Sequence, residues 1–428
     1  MRGRLALLVV VFLAGAALAG CAREDRTEAP TVLRVLLTDD WVTPPVVAAV
    51  RQFERTHPGV RVDIDRTAIR NIPDTVAAAI ANGVVPDVVQ AHAFAAAAQG
   101  MAEPLDDLWA RSLDPSEFLP GALEDVTWAG GRYGVPLDTN ALLLLYNAEH
   151  FAAAGLPPPV EPMSFAAFEA AAAALSTPDG SRRALSLPTS TWRTAGWVRA
   201  NGGELVEVGD DGRVRLTLDA PEVVSALELL SRLVRNNWAF PPRAVDSHSG
   251  DAVALFQAGS SSMLATGSWD LATLRRTPGG ERYRPALLPV GAGGQSGSVT
   301  GGSSLFVPKG SRLRALAFDF MVHLISDDYA LRLAKEQGRL PVRARVYDDS
   351  YFQTPDLAVV LRQLRTARPF VLDAFPEVNE VFAGAVDEVI REGKEPSTVL
   401  RAAQEKAQGL LAGATTRATT RATTRGTT

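Results

Sequence analysis

The 428-residue chain has one cysteine, Cys21. It can form no intramolecular disulfide and no thiolate metal cluster. Its five histidines (His57, His92, His150, His248 and His323) are dispersed, and no HExxH pair occurs, which excludes the standard zinc-hydrolase helix. There is no GxSxG elbow and no GxxxxGKS/T phosphate loop. The glycine-rich stretch 291–302 contains no GxGxxG, so nothing points to a dinucleotide. A basic block is also missing, and the net charge of −5 offers no electrostatic attraction to nucleic acid. The longest apolar run near the start, Leu5–Ala19, has fifteen residues. That falls short of the about 20 residues that a membrane-spanning helix needs.

What is present begins with that run. Arg2 and Arg4 precede it, and small residues lead into Cys21. Residues 1–21 therefore read as a signal peptide, and Leu18-Ala19-Gly20-Cys21 resembles the bacterial lipobox, in which the cysteine becomes a lipidated N-terminus. Residues 22–31 read as a polar tether. Residues 413–428, with three copies of Ala-Thr-Thr-Arg, lack apolar periodicity and are expected to be a disordered tail.

Between these ends, 46% hydrophobic and 21% charged residues are enough for a large globular core. Val32–Leu37 reads as a buried strand, and Thr43-Pro44-Pro45 opens a helix with Val46, Val47, Val50 and Phe53 at helical spacing. His57-Pro58-Gly59 ends that helix, and Val60, Val62 and Ile64 alternate as a strand, completing a β-α-β unit. Helices are expected over Pro73–Ala81, Phe165–Leu175, Ala315–Ile325, Ala330–Gln337, Val378–Arg391 and Ser397–Leu411, with a central strand at Leu142–Leu145. Strands interleaved with helices indicate an α/β protein.

Five segments follow one another along the chain: Phe53–Val60, Ala79–Val88 (AIANGVVPDV), Gly131–Asn147 (GRYGVPLDTNALLLLYN), Phe256–Trp269 (FQAGSSSMLATGSW) and Leu340-Pro341-Val342-Arg343. In this order they resemble the extracellular solute-binding proteins of ABC importers, in particular the sugar-binding group that includes maltose-binding protein. The resemblance covers about Thr31–Leu411. It implies a two-lobed periplasmic-binding-protein-like fold with a hinge and a ligand cleft. The expected lobes are 31–140 plus 276–339, and 141–275 plus 340–412. It also implies a non-catalytic receptor, a carbohydrate ligand, ABC permease subunits as partners, a lipid anchor in the cell membrane, an extracytoplasmic location and a monomer. No cofactor and no metal are expected. A carbohydrate-active enzyme on a similar scaffold, or a receptor for a polyol or glycerophosphodiester, remains an alternative.

A sugar presents hydroxyls and apolar C–H faces, so its site calls for aromatic platforms and groups that donate and accept hydrogen bonds. The resemblance points to Trp269 and Trp192 as platforms, and to Phe375 as a late aromatic. Asp40 and Trp41 follow the first strand, and Gln90 and His92 follow another, at ends where α/β sheets bind ligands. The family's sugar-gripping carboxylate maps by spacing to Asn140, with Asp138 two positions before it; either is a candidate. Gly302 and Ser303 allow close backbone approach. Arg343 is a weaker candidate.

Overall fold

The computed structural model describes residues 29–68, 71–159, 161–187, 190–209, 213–240, 250–292 and 296–425. The signal segment, Cys21 and residues 22–28 of the tether lie outside these residues.

The main elements in chain order are β1 (Thr31–Thr38), α1 (Pro44–Thr56), β2 (Val60–Thr67), α2 (Ile72–Asn82), β3 (Val88–Ala91), α3 (Ala93–Ala98), β4 (Gly134–Asp138) and β5 (Leu142–Asn147). There follow β6 (Arg183–Ser186), α4 (Thr191–Ala200), β7 (Ala239–Phe240), β8 (Ser261–Gly267), α5 (Ser268–Arg275), β9 (Tyr283–Ala286), β10 (Ser303–Phe306), α6 (Pro376–Ile390) and α7 (Pro396–Arg425). The strands form two five-stranded sheets, ordered β2-β1-β3-β10-β4 and β7-β6-β8-β5-β9. In the first, β1 runs parallel to β2 and β3, while β10 is antiparallel to β3 and β4.

The opening β-α-β unit forms for local reasons. Pro44 and Pro45 start α1 where a missing N–H costs nothing, while Thr43 makes no side-chain cap bond. Val46, Ala49, Val50 and Phe53 form its buried stripe, and Gly59, at φ +83°, turns the chain into β2. These residues join the apolar core of the first lobe with Val35, Val88 and Phe320.

The four-leucine run is the central strand β5, buried on both faces. Leu142, Leu144 and Tyr146 pack into one apolar cluster, and Leu143 and Leu145 into another. The period of two in the backbone thus turns an unbroken leucine run into two opposite faces.

The two sheets are joined where β4 passes into β5 through Thr139-Asn140-Ala141. Thr139 is bridged to Leu340, and Ala141 to Thr300, so three chain segments meet at this crossing. Two expectations need correction. Residues 276–302 do not all belong to the first lobe: β9 pairs with β5 in the second sheet, so the return lies after Ala286, not at 276. Ladder pairing at 283–286 overrides a boundary drawn from sequence alone. The repeat tail is not devoid of structure, because α7 continues through Arg425. A helix already formed over Pro396–Leu411 removes the nucleation cost for the residues that follow.

Leu144 is fully buried, so Leu144→Ala should cost about 2–5 kcal/mol, read as a lower urea midpoint with an unchanged slope.

Candidate functional site

The crossing segments supply the floor of the site. Gly302 lies against β4 so closely that a Cβ would fall 2.1 Å from the Asp138 carbonyl oxygen. A Cβ on Gly301 would lie 2.5 Å from the Trp192 ring and 2.7 Å from Asn140 Oδ1. Only glycines let these strands close up, which accounts for the Gly301-Gly302 pair.

Asp138 is buried. Its Oδ1 accepts from the Ser303 N–H and Oγ–H, both at 2.9 Å. Ser303 Oγ in turn accepts from Gln90 Nε2 at 3.1 Å, and Gln90 Oε1 accepts from the Thr38 N–H at 3.0 Å. Arg339 closes the network. It donates to Asp40 Oδ2 at 2.7 Å and reaches Asp138 Oδ2 at 3.5 Å. Burial raises the Asp138 pKa, opposed by Arg339 and Ser303. Asp40 is held below the usual carboxylate range: burial opposes this, but hydrogen bonds from Thr38 and Arg339 prevail.

Trp41 belongs to this network in a way the sequence reading did not anticipate. Its side chain is buried, and the Arg339 guanidinium lies 4.1 Å from its ring centroid. It is therefore not an open platform in this structure. Arg339, which immediately precedes the Leu340–Arg343 motif, is the residue that sequence reasoning missed. Arg343, weighed in its place, pairs with Glu117 and Asp327 at 3.8 Å.

The second group lies on the other sheet. Trp192, on the first turn of α4, donates its indole N–H to the Thr300 carbonyl at 2.7 Å. Trp269, on the first turn of α5, lies 5.9 Å from it, centroid to centroid, with the rings tilted by 42°. Both rings keep part of their surface exposed. Asn140 Nδ2 donates to the Gly301 carbonyl at 2.8 Å, while its Oδ1 has no hydrogen-bond donor within the protein. Of the two sequence candidates, Asp138 thus braces the crossing, and Asn140 leaves an acceptor unclaimed across Gly301 from Trp192.

The third group spans the lobes. His92 precedes α3, and its Nδ1 lies 2.6 Å from Asp125 Oδ1. Its Nε2 lies 3.7 Å from Asp373 Oδ2, on the short helical turn Val371–Ala374 before α6. Burial by itself would lower the His92 pKa, but Asp125, with Asp373 and Asp138 farther off, raises it to about 9. Burial pushes the Asp373 carboxyl up to about 6 against the pull of His92. Phe375 stands apart from the tryptophan pair. It packs on Trp128, at 6.1 Å between centroids, in a small cluster with Phe94 and Ala374.

Among the described residues, no cluster of His, Cys, Asp or Glu could hold a metal ion, and no helix is long and apolar enough to cross a membrane.

Comparison with known proteins fits this geometry. Residues 48–358 match the model of a family described as bacterial extracellular solute-binding protein. An uncharacterized lipoprotein in the oleD 5' region of Streptomyces antibioticus is 26% identical, covering 83% of this chain and 79% of that one. The sugar-binding protein MalE of Xanthomonas citri superposes with a TM-score of 0.76 at 21% identity, covering 90% of this chain and 98% of that one. UgpB of Mycobacterium tuberculosis, solved with glycerophosphocholine, superposes at 0.74 with 21% identity, covering 90% and 98%. These structures share the fold, so the expected two-lobed architecture is borne out.

A histidine whose folded-state pKa is raised contributes stability in full below its unfolded value of 6.5, and loses it as pH rises through about 9. The melting temperature should therefore fall between pH 6.5 and 9.5, by the equivalent of about 2–3 kcal/mol. His92→Gln should flatten that decline in a calorimetric pH series; an unchanged slope would show that His92 titrates normally.

Proposed function

We propose that this chain, which belongs to the bacterial extracellular solute-binding protein family, is a monomeric receptor that binds a carbohydrate in the cleft between its lobes and delivers it to the permease subunits of an ABC importer. The observation that carries the ligand class is the tryptophan pair beside Asn140. Two partly exposed indoles face each other, and across Gly301 from one of them, Trp192, lies a buried amide oxygen of Asn140 that nothing in the protein satisfies. An indole face matches a pyranose C–H face, and an unclaimed acceptor matches a hydroxyl donor. The MalE likeness supports the same reading. Closure of the lobes around the ligand would be a hinge motion at the crossing segments.

Catalysis has no support in this arrangement. Asp138 is committed to Ser303 and Arg339, and Asp40 is shared with that arginine. A carbohydrate-active enzyme would convert its sugar, whereas a receptor returns it unchanged. Among the described residues Val84 is the one large hydrophobic side chain that stands exposed, which supports a monomer. Cys21 would carry the lipid that holds the protein on the outer face of the membrane. Its sequence context and the lipoprotein relative support this, although Cys21 lies outside the described residues.

A thermal-shift screen of residues 22–428 tests the ligand class, because a ligand that binds only the folded state raises the melting temperature. Neutral oligosaccharides should stabilise the protein and be recovered intact. A response confined to polyols or to glycerophosphocholine would replace the carbohydrate reading. Trp269→Ala should weaken the best carbohydrate by about 1–3 kcal/mol, five- to 150-fold by calorimetric titration. Normal affinity in the folded variant would remove Trp269 from the site. Cys21→Ser should move the protein from the membrane to the soluble fraction, and membrane retention without the cysteine would contradict lipidation.

A further inference from the structure

Beyond the tryptophan pair, a cavity of about 480 Å³ opens where the lobes meet. Its walls come from α2, the end of β3 and α3 on one side, and from Asp373, Pro376 and Asn379 on the other. Ile72, Val76, Ala95, Ala96, Met101 and Phe306 make most of it hydrocarbon. Aliphatic walls offer nothing to a ring that carries a hydroxyl on every carbon, because each hydroxyl pressed against them loses its water without gaining a partner. They suit a hydroxyl-poor group.

The polar rim is one-sided. Of the donors nearby, His92 Nδ1 faces Asp125 at 2.6 Å and Gln99 Nε2 donates to the Asp373 carbonyl at 3.3 Å, while the remaining His92 N–H, on Nε2, stands 3.7 Å from Asp373. Acceptors without donors stand here as well: Asn379 Oδ1 on the lining, and Asp125 Oδ2 behind His92, are both buried without a donor. Among the described residues none donates to the Asp373 side chain, and His92 Nε2 stands 3.7 Å from it. Two carboxylates, Asp125 and Asp373, share a single imidazolium. Among the described lining residues there is no arginine or lysine to balance the excess negative charge. A phosphate or carboxylate placed here would meet acceptors and negative charge, whereas an ammonium group would meet what it requires.

We propose that this chamber is a second subsite, which takes an amine-bearing, hydroxyl-poor ring of the ligand and sets the ammonium against Asp373. The inference rests on the carbohydrate reading above and narrows it from sugars in general to amino-deoxy sugars and aminocyclitol glycosides, with phosphorylated and acidic sugars excluded.

Matched probe pairs test it by calorimetric titration of the full mature chain: maltotetraose against acarbose, glucose against glucosamine, and galactose against galactosamine. Acarbose joins an amine to a 6-deoxy ring, and maltotetraose has neither. At least one amine member should bind about tenfold tighter than its neutral partner, the gain expected of one charge-assisted hydrogen bond. Asp373→Asn should collapse that ratio to near one, and Asp373→Glu should retain part of it. Equal affinities within every pair would overturn the proposal and leave the carbohydrate reading standing. A preference that survives Asp373→Asn would overturn it as well, by locating the amine elsewhere. If no carbohydrate of any kind binds, the underlying reading fails and the proposal fails with it.

Discussion

Asp138 is a carboxylate almost without access to water, set at the end of the strand that leaves one lobe for the other. A buried charge is tolerated only when hydrogen bonds and counter-charges replace the lost hydration. Here the replacements come from distant parts of the chain: Ser303 at the start of β10, and Arg339 after the last helix packed on the first sheet. One desolvated group thus draws the crossing segments together. The glycines at 301 and 302 allow this by giving up the volume that a Cβ would fill. The same strand junction carries Asn140, so the electrostatics of the crossing and the floor of the site are a single construction.

Much of the architecture was legible in local patterns. Phe165–Leu175 is helical over the expected residues, and the opening β-α-β unit follows the alternation and breaks in the sequence. Local pattern fails where pairing partners lie far apart. No periodicity in Tyr283–Ala286 tells that it aligns with β5 rather than with the first sheet.

The site was legible as chemistry more than as assignment. Position after strands singled out Gln90 and His92, and the family resemblance singled out Asp138, Asn140, Trp192 and Trp269. What most of them touch lies far off in sequence: Asp138 meets Ser303, Asn140 meets Gly301 and Trp192 meets Thr300. Trp41 has the right residue type in the right place, but a guanidinium on its ring and near-complete burial change what it can do. Asp373 and Asp125 could not be singled out, because their meaning arises only when the Val371–Ala374 turn is brought against His92.

The crossing segments also divide the molecule by what it can afford to change. Residues such as Asp138, Gly302 and Ser303 are constrained by one another across two adjoining strands, so a substitution at one disturbs the rest. Trp192 and Trp269 stand on the first turns of separate helices, and Asp373 stands on a short turn of its own. Trp192 is tied to the junction by its hydrogen bond to the Thr300 carbonyl and by its ring against Gly301, so a substitution there reaches the crossing. The turns that carry Trp269 and Asp373 lie outside the crossing, so these side chains can change while the three segments that meet at the junction keep their contacts.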